Sequence, residues 1–234
     1  MMRLDKYLAD MGVGTRTEVK KLIRQGKVTV DGEIERSPER KVEYTTQNIS
    51  CMGEPVSYET YEYYMLNKPA GVVSATTDIK DKTVIELISE KKRRDLFPVG
   101  RLDKDTEGLL LITNDGELAH RLLSPKKHVD KVYYAKVQGV VDENDREIFA
   151  KGMPIGSGET ALPSKLEVLF SGEISEIQLT IQEGKFHQVK RMFHAVGKEV
   201  IYLKRLSMGT LMLDETLCPG EYRALTKEEV NRLC

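Results

Sequence analysis

The sequence has no excess of charge of either sign. Its 234 residues include 36 lysines and arginines and 37 aspartates and glutamates, which gives a net charge of −1. A protein that is polycationic over its whole surface is therefore excluded, and any site for nucleic acid must be a local basic patch. A chain of this length can bury a substantial core, and we expect two domains, one small and one large.

Cysteine is also scarce. Cys51, Cys218 and Cys234 are far apart, and no CxxC pair or Cys/His cluster at metal-binding spacing is present. We therefore expect reduced thiols and no structural zinc. His187 and His194 are seven residues apart, whereas a metal-binding helix places its histidines four apart, so we predict no metal site. A glycine-rich phosphate loop and a dinucleotide fingerprint are missing too, and we expect no cofactor.

The sequence also lacks long apolar runs. Residues 1–12 carry charges within the first six positions and contain no extended hydrophobic stretch, unlike a signal peptide or a membrane span. We expect a cytoplasmic protein with no membrane partner.

The N-terminal residues 1–56 show the pattern of a small α/β module. Apolar residues recur at helical spacing over residues 4–11. Thr15 and Glu18 form a capping box that begins a second helix. Residues 27–33 alternate like a strand that ends in an Asp-Gly turn.

A basic stripe follows one side of the second helix. Its members are spaced by four, four and three residues, so they share one face. Such a stripe is typical of a solvated surface and equally of a surface that binds phosphates. The stripe consists of Arg16, Lys20, Arg24 and Lys27.

The rest of the chain has a different pattern. Residues 57–62 lack periodicity, and we interpret them as a linker. Residues 63–234 alternate short apolar strands with modest helices, which predicts an α+β domain built on a largely antiparallel sheet. Predicted strands cover residues 63–67, 109–112, 132–140 and 174–181, and predicted helices cover residues 83–94, 117–123, 142–152, 187–196 and the segment after Thr226.

Asp103 is the most informative single residue. It lies in a glycine-bounded loop directly before residues 109–112, whose uniformly apolar character predicts a strand covered on both faces. A loop held by a buried strand is where catalytic groups are usually presented. The alternative is a loop aspartate that caps a backbone turn.

Several segments resemble known motifs. At the N-terminus, residues 3–8, the pair Thr15-Arg16 and residues 26–32 resemble the S4 RNA-binding domain, with Thr15 where serine is commoner. Four further segments, in order, resemble the motifs of the pseudouridine synthases that carry an S4 domain: Asn67-Lys68-Pro69-Ala70-Gly71, Gly100-Arg101-Leu102-Asp103, Lys131-Val132-Tyr133 and residues 183–192.

The resemblance implies a chemistry and its residues. The enzyme would isomerise uridine to pseudouridine without a cofactor, with Asp103 as the catalytic carboxylate and Tyr133 stacked on the target base. Asp103 could act as a nucleophile or remove a proton, and the sequence leaves both routes open. Because burial would raise the pKa of Asp103, a cation should lie beside it. Lys190 is the candidate, with Arg191 as the alternative, since adjacent helix residues point about 100° apart.

Further residues are assigned to RNA binding. Arg101 would pair with phosphate or hold the flipped uridine, or else form a salt bridge with Asp105 or Glu107. Asp105 and Asp115 are interpreted as capping residues. The predicted RNA-binding set consists of Arg101, Arg191, Lys68, Arg16, Lys20, Arg24 and Lys27.

The C-terminal segments favour one RNA target. Residues 187–197, 213–215 and 219–229 resemble the subgroup that acts on small-subunit (16S) ribosomal RNA. The resemblance implies this RNA, naked or in an assembling subunit, as the partner of a monomer that does not bind DNA. The alternatives are the same reaction on large-subunit RNA and a non-catalytic S4 RNA-binding protein of the ribosome.

Overall fold

The chain forms two compact units. The computed structural model describes residues 1–58 and 60–233, except for the side chain of Pro125. The first unit comprises Met1–Glu62 with Ser89–Leu96, and the second comprises Tyr63–Ile88 with Phe97–Cys234. The predicted linker and the segment 89–96 are thus grouped with the N-terminal module. No helix within the described part of the chain is long and apolar enough to span a bilayer.

The first unit packs two helices on small sheets. The capping box of the second helix forms as predicted, since Thr15 N donates to Glu18 Oε2 at 2.7 Å and Glu18 N donates to Thr15 Oγ1 at 3.3 Å. Its four-stranded sheet has the order β3-β2-β5-β6, and β1 pairs with β4. The elements are β1 (Met2–Arg3), α1 (Leu4–Asp10), α2 (Arg16–Arg24), β2 (Val28–Val30), β3 (Glu33–Glu35), β4 (Lys41–Val42), β5 (Ile49–Cys51) and β6 (Glu54–Pro55).

The helix predicted over residues 83–94 is wrong. Only Val84–Leu87 form a single 3₁₀ turn, behind a capping box between Thr83 and Glu86. The following residues 89–94 are polar or charged, so a longer helix would have no apolar side to bury. They belong to the first unit instead, where the Arg94 Nη2 donates to Gly12 O at 2.8 Å.

The second unit is a mixed, largely antiparallel sheet flanked by helices, as predicted. Among the described residues its nine strands follow the order β13-β14-β10-β15-β9-β7-β17, with β16 on β15 and β8 on β9, and only the pair β15–β9 is parallel. The sheet strands are β7 (Tyr63–Lys68), β8 (Phe97–Pro98), β9 (Glu107–Thr113), β10 (Lys131–Gln138), β13 (Lys165–Phe170), β14 (Ile174–Ile181), β15 (Glu199–Met208), β16 (Leu211–Met212) and β17 (Tyr222–Ala224).

The remaining elements lie around this sheet. A separate hairpin pairs β11 (Met153–Pro154) with β12 (Thr160–Ala161). The helices are α3 (Gly116–Leu123), α4 (Glu143–Lys151), α5 (Gln188–Ala195) and α6 (Lys227–Leu233), and a second 3₁₀ turn covers Pro125–Lys127. Each of the four α-helices matches a predicted one within a few residues.

β9 holds the loop of Asp103 in the middle of the sheet. All residues from Leu109 to Ile112 are at most 1 % exposed, so the prediction of a strand covered on both faces is confirmed. At its start, Gly108 lies opposite Arg205 of the parallel strand β15. A Cβ at position 108 would lie 2.3 Å from Arg205 O and 2.8 Å from Arg205 N, and Gly108 has φ of +98°. Only glycine allows this approach of β9 to β15.

We predict that Gly108→Ala lowers the free energy of unfolding by at least about 2 kcal/mol, because it combines a disfavoured φ with a backbone clash. Urea unfolding followed by circular dichroism measures the change. Gly116→Ala is the matched control, since its added Cβ meets no atom within 4 Å and its φ is not positive. Equal free energies of unfolding for the two variants would contradict this prediction, because β15 would then shift away from the added methyl group without loss of stability.

Candidate active site

The backbone around Asp103 is fixed from a neighbouring loop. Ser74 Oγ donates to Leu102 O at 2.8 Å and accepts from Leu102 N at 3.1 Å. Thr106 N donates to Asp103 O at 3.0 Å, which closes the turn after the carboxylate. The side chain of Asp103 is 25 % exposed. The loop therefore presents a partly exposed carboxylate on a backbone that cannot shift easily.

Lys68 is placed differently from the prediction. Its side chain is fully buried, and Nζ donates to Pro69 O at 3.0 Å, Lys104 O at 3.3 Å and Thr106 O at 2.8 Å. Burial lowers its pKa to about 8, although the nearby carboxylates act in the opposite direction. The predicted contact with RNA is corrected, because a buried ammonium with three carbonyl partners cannot reach a phosphate. Lys68 instead ties together the loop that carries Asp103.

Lys190 lies within ion-pair distance of two carboxylates. Its Nζ lies 2.6 Å and 2.7 Å from the two carboxylate oxygens of Asp105 and 3.7 Å from Asp103 Oδ2. The hydrogen bond from Lys190 lowers the pKa of Asp105. Asp105 is therefore the close partner of Lys190, which corrects its interpretation as a capping residue. Asp115, by contrast, caps α3, since its Oδ1 accepts from Leu118 N at 3.0 Å.

Arg191 points away from Asp103. Its guanidinium donates to Ile155 O at 2.9 Å, to Gly156 O at 2.8 Å and to Glu159 Oε2 at 2.5 Å. These bonds fasten α5 to the loop after β11. Of the two adjacent basic residues, Lys190 is thus the one within ion-pair distance of Asp103. The Arg191 guanidinium is engaged by acceptors within the protein, and its role in RNA binding stays a prediction.

Tyr133 and Arg101 line the same small cavity as Asp103, with a volume of about 60 Å³. Tyr133 is 7 % exposed, whereas its neighbour Tyr134 lies on the other face of β10 and packs edge-on against Tyr202. The guanidinium of Arg101 is exposed and forms no hydrogen bond or ion pair with any described residue. The alternative of a salt bridge to Asp105 or Glu107 is therefore not observed.

His187 is a site residue that the sequence pattern did not indicate. Its Nε2 lies 3.6 Å from Asp103 Oδ1, and its backbone is left-handed, with φ of 48° and ψ of 35°. The histidine comes directly before α5, where its side chain reaches back toward the carboxylate. Its spacing from His194 bears only on metal binding, and neither periodicity nor spacing in the sequence indicates a contact with Asp103.

Two buried cations lie near Tyr133 in the sheet. Arg205, opposite Tyr133 in the register of β15 with β10, is 2 % exposed and donates from Nε to Leu109 O at 2.8 Å. Lys131 is 5 % exposed and donates to Val129 O at 3.2 Å. Burial, followed by the positive charge of Arg205, lowers the pKa of Lys131.

The predicted basic stripe lies on the surface of the first unit. Arg16, Arg24 and Lys27 are exposed, while Lys20 Nζ lies 3.8 Å from Asp5 Oδ2. Arg36 adds a cation beside the stripe, since its Nη1 donates to Arg24 O at 3.0 Å. The stripe is thus accessible to a phosphate backbone, and its role in RNA binding stays a prediction.

Comparison with known proteins identifies the family. Residues 62–195 match the RNA pseudouridylate synthase family, and residues 2–46 match the S4 domain. The chain belongs to the RNA pseudouridylate synthase family. An uncharacterized RNA pseudouridine synthase of Bacillus subtilis is 50 % identical over 234 residues, which cover 99 % of this chain and 98 % of the relative.

Other relatives of this synthase also match along nearly their whole length. The ribosomal small subunit pseudouridine synthase A of Vibrio cholerae is 44 % identical and that of Escherichia coli K12 is 41 % identical, each over 98 % of both chains. A crystal structure of a pseudouridylate synthase, 38 % identical, superposes with a TM-score of 0.70 and covers 100 % of both chains.

We predict that Lys190→Met raises the pKa of Asp105 and lowers turnover of the synthase at least about tenfold, because both carboxylates lose their shared ammonium. Carboxyl NMR titration measures the pKa, and pseudouridine formation measures turnover. The lowered pKa of Asp105 stabilises the fold at neutral pH, and this contribution disappears as the pH falls through the titration of the carboxyl.

Two further variants complete this experiment: one keeps the positive charge at position 190, and the other removes a lysine far from it in the sequence. Lys190→Arg should restore part of the activity, since it keeps a cation at the site. Lys151→Met removes an exposed lysine of α4 that pairs with Glu147 at 3.4 Å and should leave both readouts unchanged. An unchanged pKa of Asp105 in Lys190→Met would contradict the assigned pairing.

Proposed function

We propose that this synthase converts one uridine of small-subunit (16S) ribosomal RNA to pseudouridine, with Asp103 as the catalytic carboxylate and no cofactor. The observation that carries the proposal is the cavity in which Asp103, Tyr133 and Arg101 meet, with the Lys190 ammonium 3.7 Å from Asp103. The relatives named after the small ribosomal subunit support the choice of RNA.

The reaction requires few groups. The bond between C1′ of the ribose and N1 of the base breaks, the base rotates, and a bond from C1′ to C5 forms while the proton on C5 leaves and N1 gains one. An ionised Asp103 can begin this sequence by attacking the nucleotide or by removing a ribose proton. The Lys190 ammonium, 3.7 Å from Asp103 Oδ2, places a positive charge beside this carboxylate.

The other two residues hold the substrate. The ring of Tyr133 stacks on the detached base and limits its rotation, and its hydroxyl is a candidate for the proton transfer at C5. A uridine inside a helix must be flipped out to reach Asp103. The unpaired, exposed guanidinium of Arg101 is suited to a phosphate of the flipped nucleotide.

RNA binding by the first unit would be independent of sequence. The exposed cations of the basic stripe suit phosphate contacts, which position an RNA without reading its bases. We expect a monomer that acts in the cytoplasm, on naked RNA or on the assembling subunit.

The test of function compares wild-type protein with Asp103→Asn on unmodified ribosomal RNA, both naked and partly assembled. We predict a single carbodiimide-induced reverse-transcription stop in small-subunit RNA with wild-type protein only. RNA affinity should change less than about twofold, because the substitution keeps the shape of the side chain. Asp130→Asn is the control, since Asp130 is exposed and the amide can still accept the 2.8 Å hydrogen bond from Gln182.

The other outcomes of this test are equally informative. Activity retained in Asp103→Asn would remove the catalytic assignment. A stop in large-subunit RNA would keep the chemistry and overturn the proposed target. Binding without any stop on either RNA would leave a non-catalytic RNA-binding protein.

We predict that the triple variant Arg16→Gln, Lys20→Gln, Arg24→Gln weakens RNA binding and reduces the slope of log affinity against log salt. Each lost phosphate contact lowers this slope by about 0.7–0.9, so three contacts correspond to roughly 2–3. Filter binding over a range of salt concentrations measures both quantities.

The matched control for the stripe removes three charges elsewhere. Lys151→Gln, Lys165→Gln, Lys227→Gln neutralises exposed lysines of the second unit and gives the same net charge. An equal loss of slope in both triple variants would attribute the effect to net charge alone, and the stripe would then be an ordinary solvated surface.

A further inference from the structure

Phe186 is an exposed aromatic residue beside the catalytic carboxylate. Its side chain is 75 % exposed. The ring stacks on the imidazole of His187, with 3.8 Å between ring centroids and 18° between the planes. Because His187 Nε2 lies 3.6 Å from Asp103 Oδ1, the stacked pair begins at the reacting carboxylate and extends outward into solvent.

The backbone that carries this pair is braced on both sides. Before it, Glu183 Oε1 accepts from Leu162 N at 2.8 Å and from Gln188 Nε2 at 2.7 Å, and Lys185 N donates to Gln188 Oε1 at 2.9 Å. Behind it, the Arg191 Nη1 donates to the carbonyl of Phe186 at 3.2 Å. Phe186 is thus exposed on a loop whose backbone is braced by hydrogen bonds, and one face of its ring stacks on His187.

We propose that the Phe186–His187 pair is a stacking platform for the base next to the target uridine in the RNA. This inference rests on the proposed function. Flipping a uridine into the cavity leaves its neighbour without a stacking partner, and an aromatic side chain can replace that partner. The unpaired Arg101 on the same cavity suits the phosphate between the two nucleotides.

The occupant follows from the surroundings of the ring. The platform is continuous with the catalytic cavity through His187, and the exposed Arg101 guanidinium lines the same cavity. An RNA that offers a flat base to the ring and a phosphate to the guanidinium fits both features. Phe170, on the edge strand β13, is similarly exposed at 60 %, but its chain neighbours, unlike those of Phe186, do not line this cavity. It provides a control of the same residue type.

The kinetic test compares Phe186→Ala, Phe186→Trp and Phe170→Ala on the RNA fragment that contains the mapped uridine. We expect Phe186→Ala to raise KM about tenfold or more with a smaller change in kcat, and Phe186→Trp and Phe170→Ala to stay within about twofold of wild type. Equal KM values for wild type and Phe186→Ala would overturn the platform.

A second measurement is independent of turnover. In an Asp103→Asn background, 2-aminopurine replaces the base on either side of the target, and its fluorescence should be quenched on binding. Quenching at one of these positions should disappear in Phe186→Ala and persist in Phe170→Ala. Identical quenching in both variants would show that the neighbouring base stacks on a residue other than Phe186, and would overturn the platform.

Ultraviolet crosslinking of the Asp103→Asn protein to unmodified small-subunit RNA needs no mapped target. Mass spectrometry should find a nucleotide on the peptide that contains Phe186, and a peptide without one would overturn the platform. Failure of the proposed function is distinguishable, because wild-type protein would then make no pseudouridine even where this crosslink is found.

Discussion

The geometry of the cleft depends on the buried ammonium of Lys68. At a pKa of about 8 the side chain is mainly charged at neutral pH, and a buried charge costs several kcal/mol unless it is hydrogen-bonded. Each bond from a charged donor contributes about 1.5–3 kcal/mol, so the carbonyls of Pro69, Lys104 and Thr106 together offset this cost. Two of those carbonyls flank Asp105. The interaction therefore fixes the turn from which Asp103 and Asp105 meet Lys190.

Local signals predicted the loop and its neighbours well. A fully apolar run after Asp103 indicated a strand buried on both faces, and β9 is such a strand. Capping boxes also predicted helix starts correctly, as at Thr15, because the two hydrogen bonds of such a box depend only on residues three apart. The family motifs added Tyr133 and Lys190, whose proximity to Asp103 arises from strand order and not from spacing.

Features that depend on tertiary context were not predictable in the same way. β15 is the longest strand, yet its inward positions include the buried Arg205, which interrupts the apolar alternation that marks a strand. In the segment 83–94 a helix was predicted that does not form. A capping box and basic residues indicated it, but such a helix would have no apolar side to bury. His187 reaches Asp103 through a left-handed backbone at the start of α5, and neither composition nor periodicity encodes such a conformation in a residue other than glycine.

The basic residues of the motifs fall into two groups. Some donate hydrogen bonds within the protein, and others remain available to a ligand. Lys68 and Arg191 look equivalent to Arg101 in the sequence, but the first two satisfy carbonyls and a carboxylate inside the fold. Such bonds stabilise the loop and α5. Arg101 has no acceptor among the described residues, so its guanidinium keeps its full capacity for a phosphate. The distinction follows from hydrogen-bond satisfaction, which requires the three-dimensional structure.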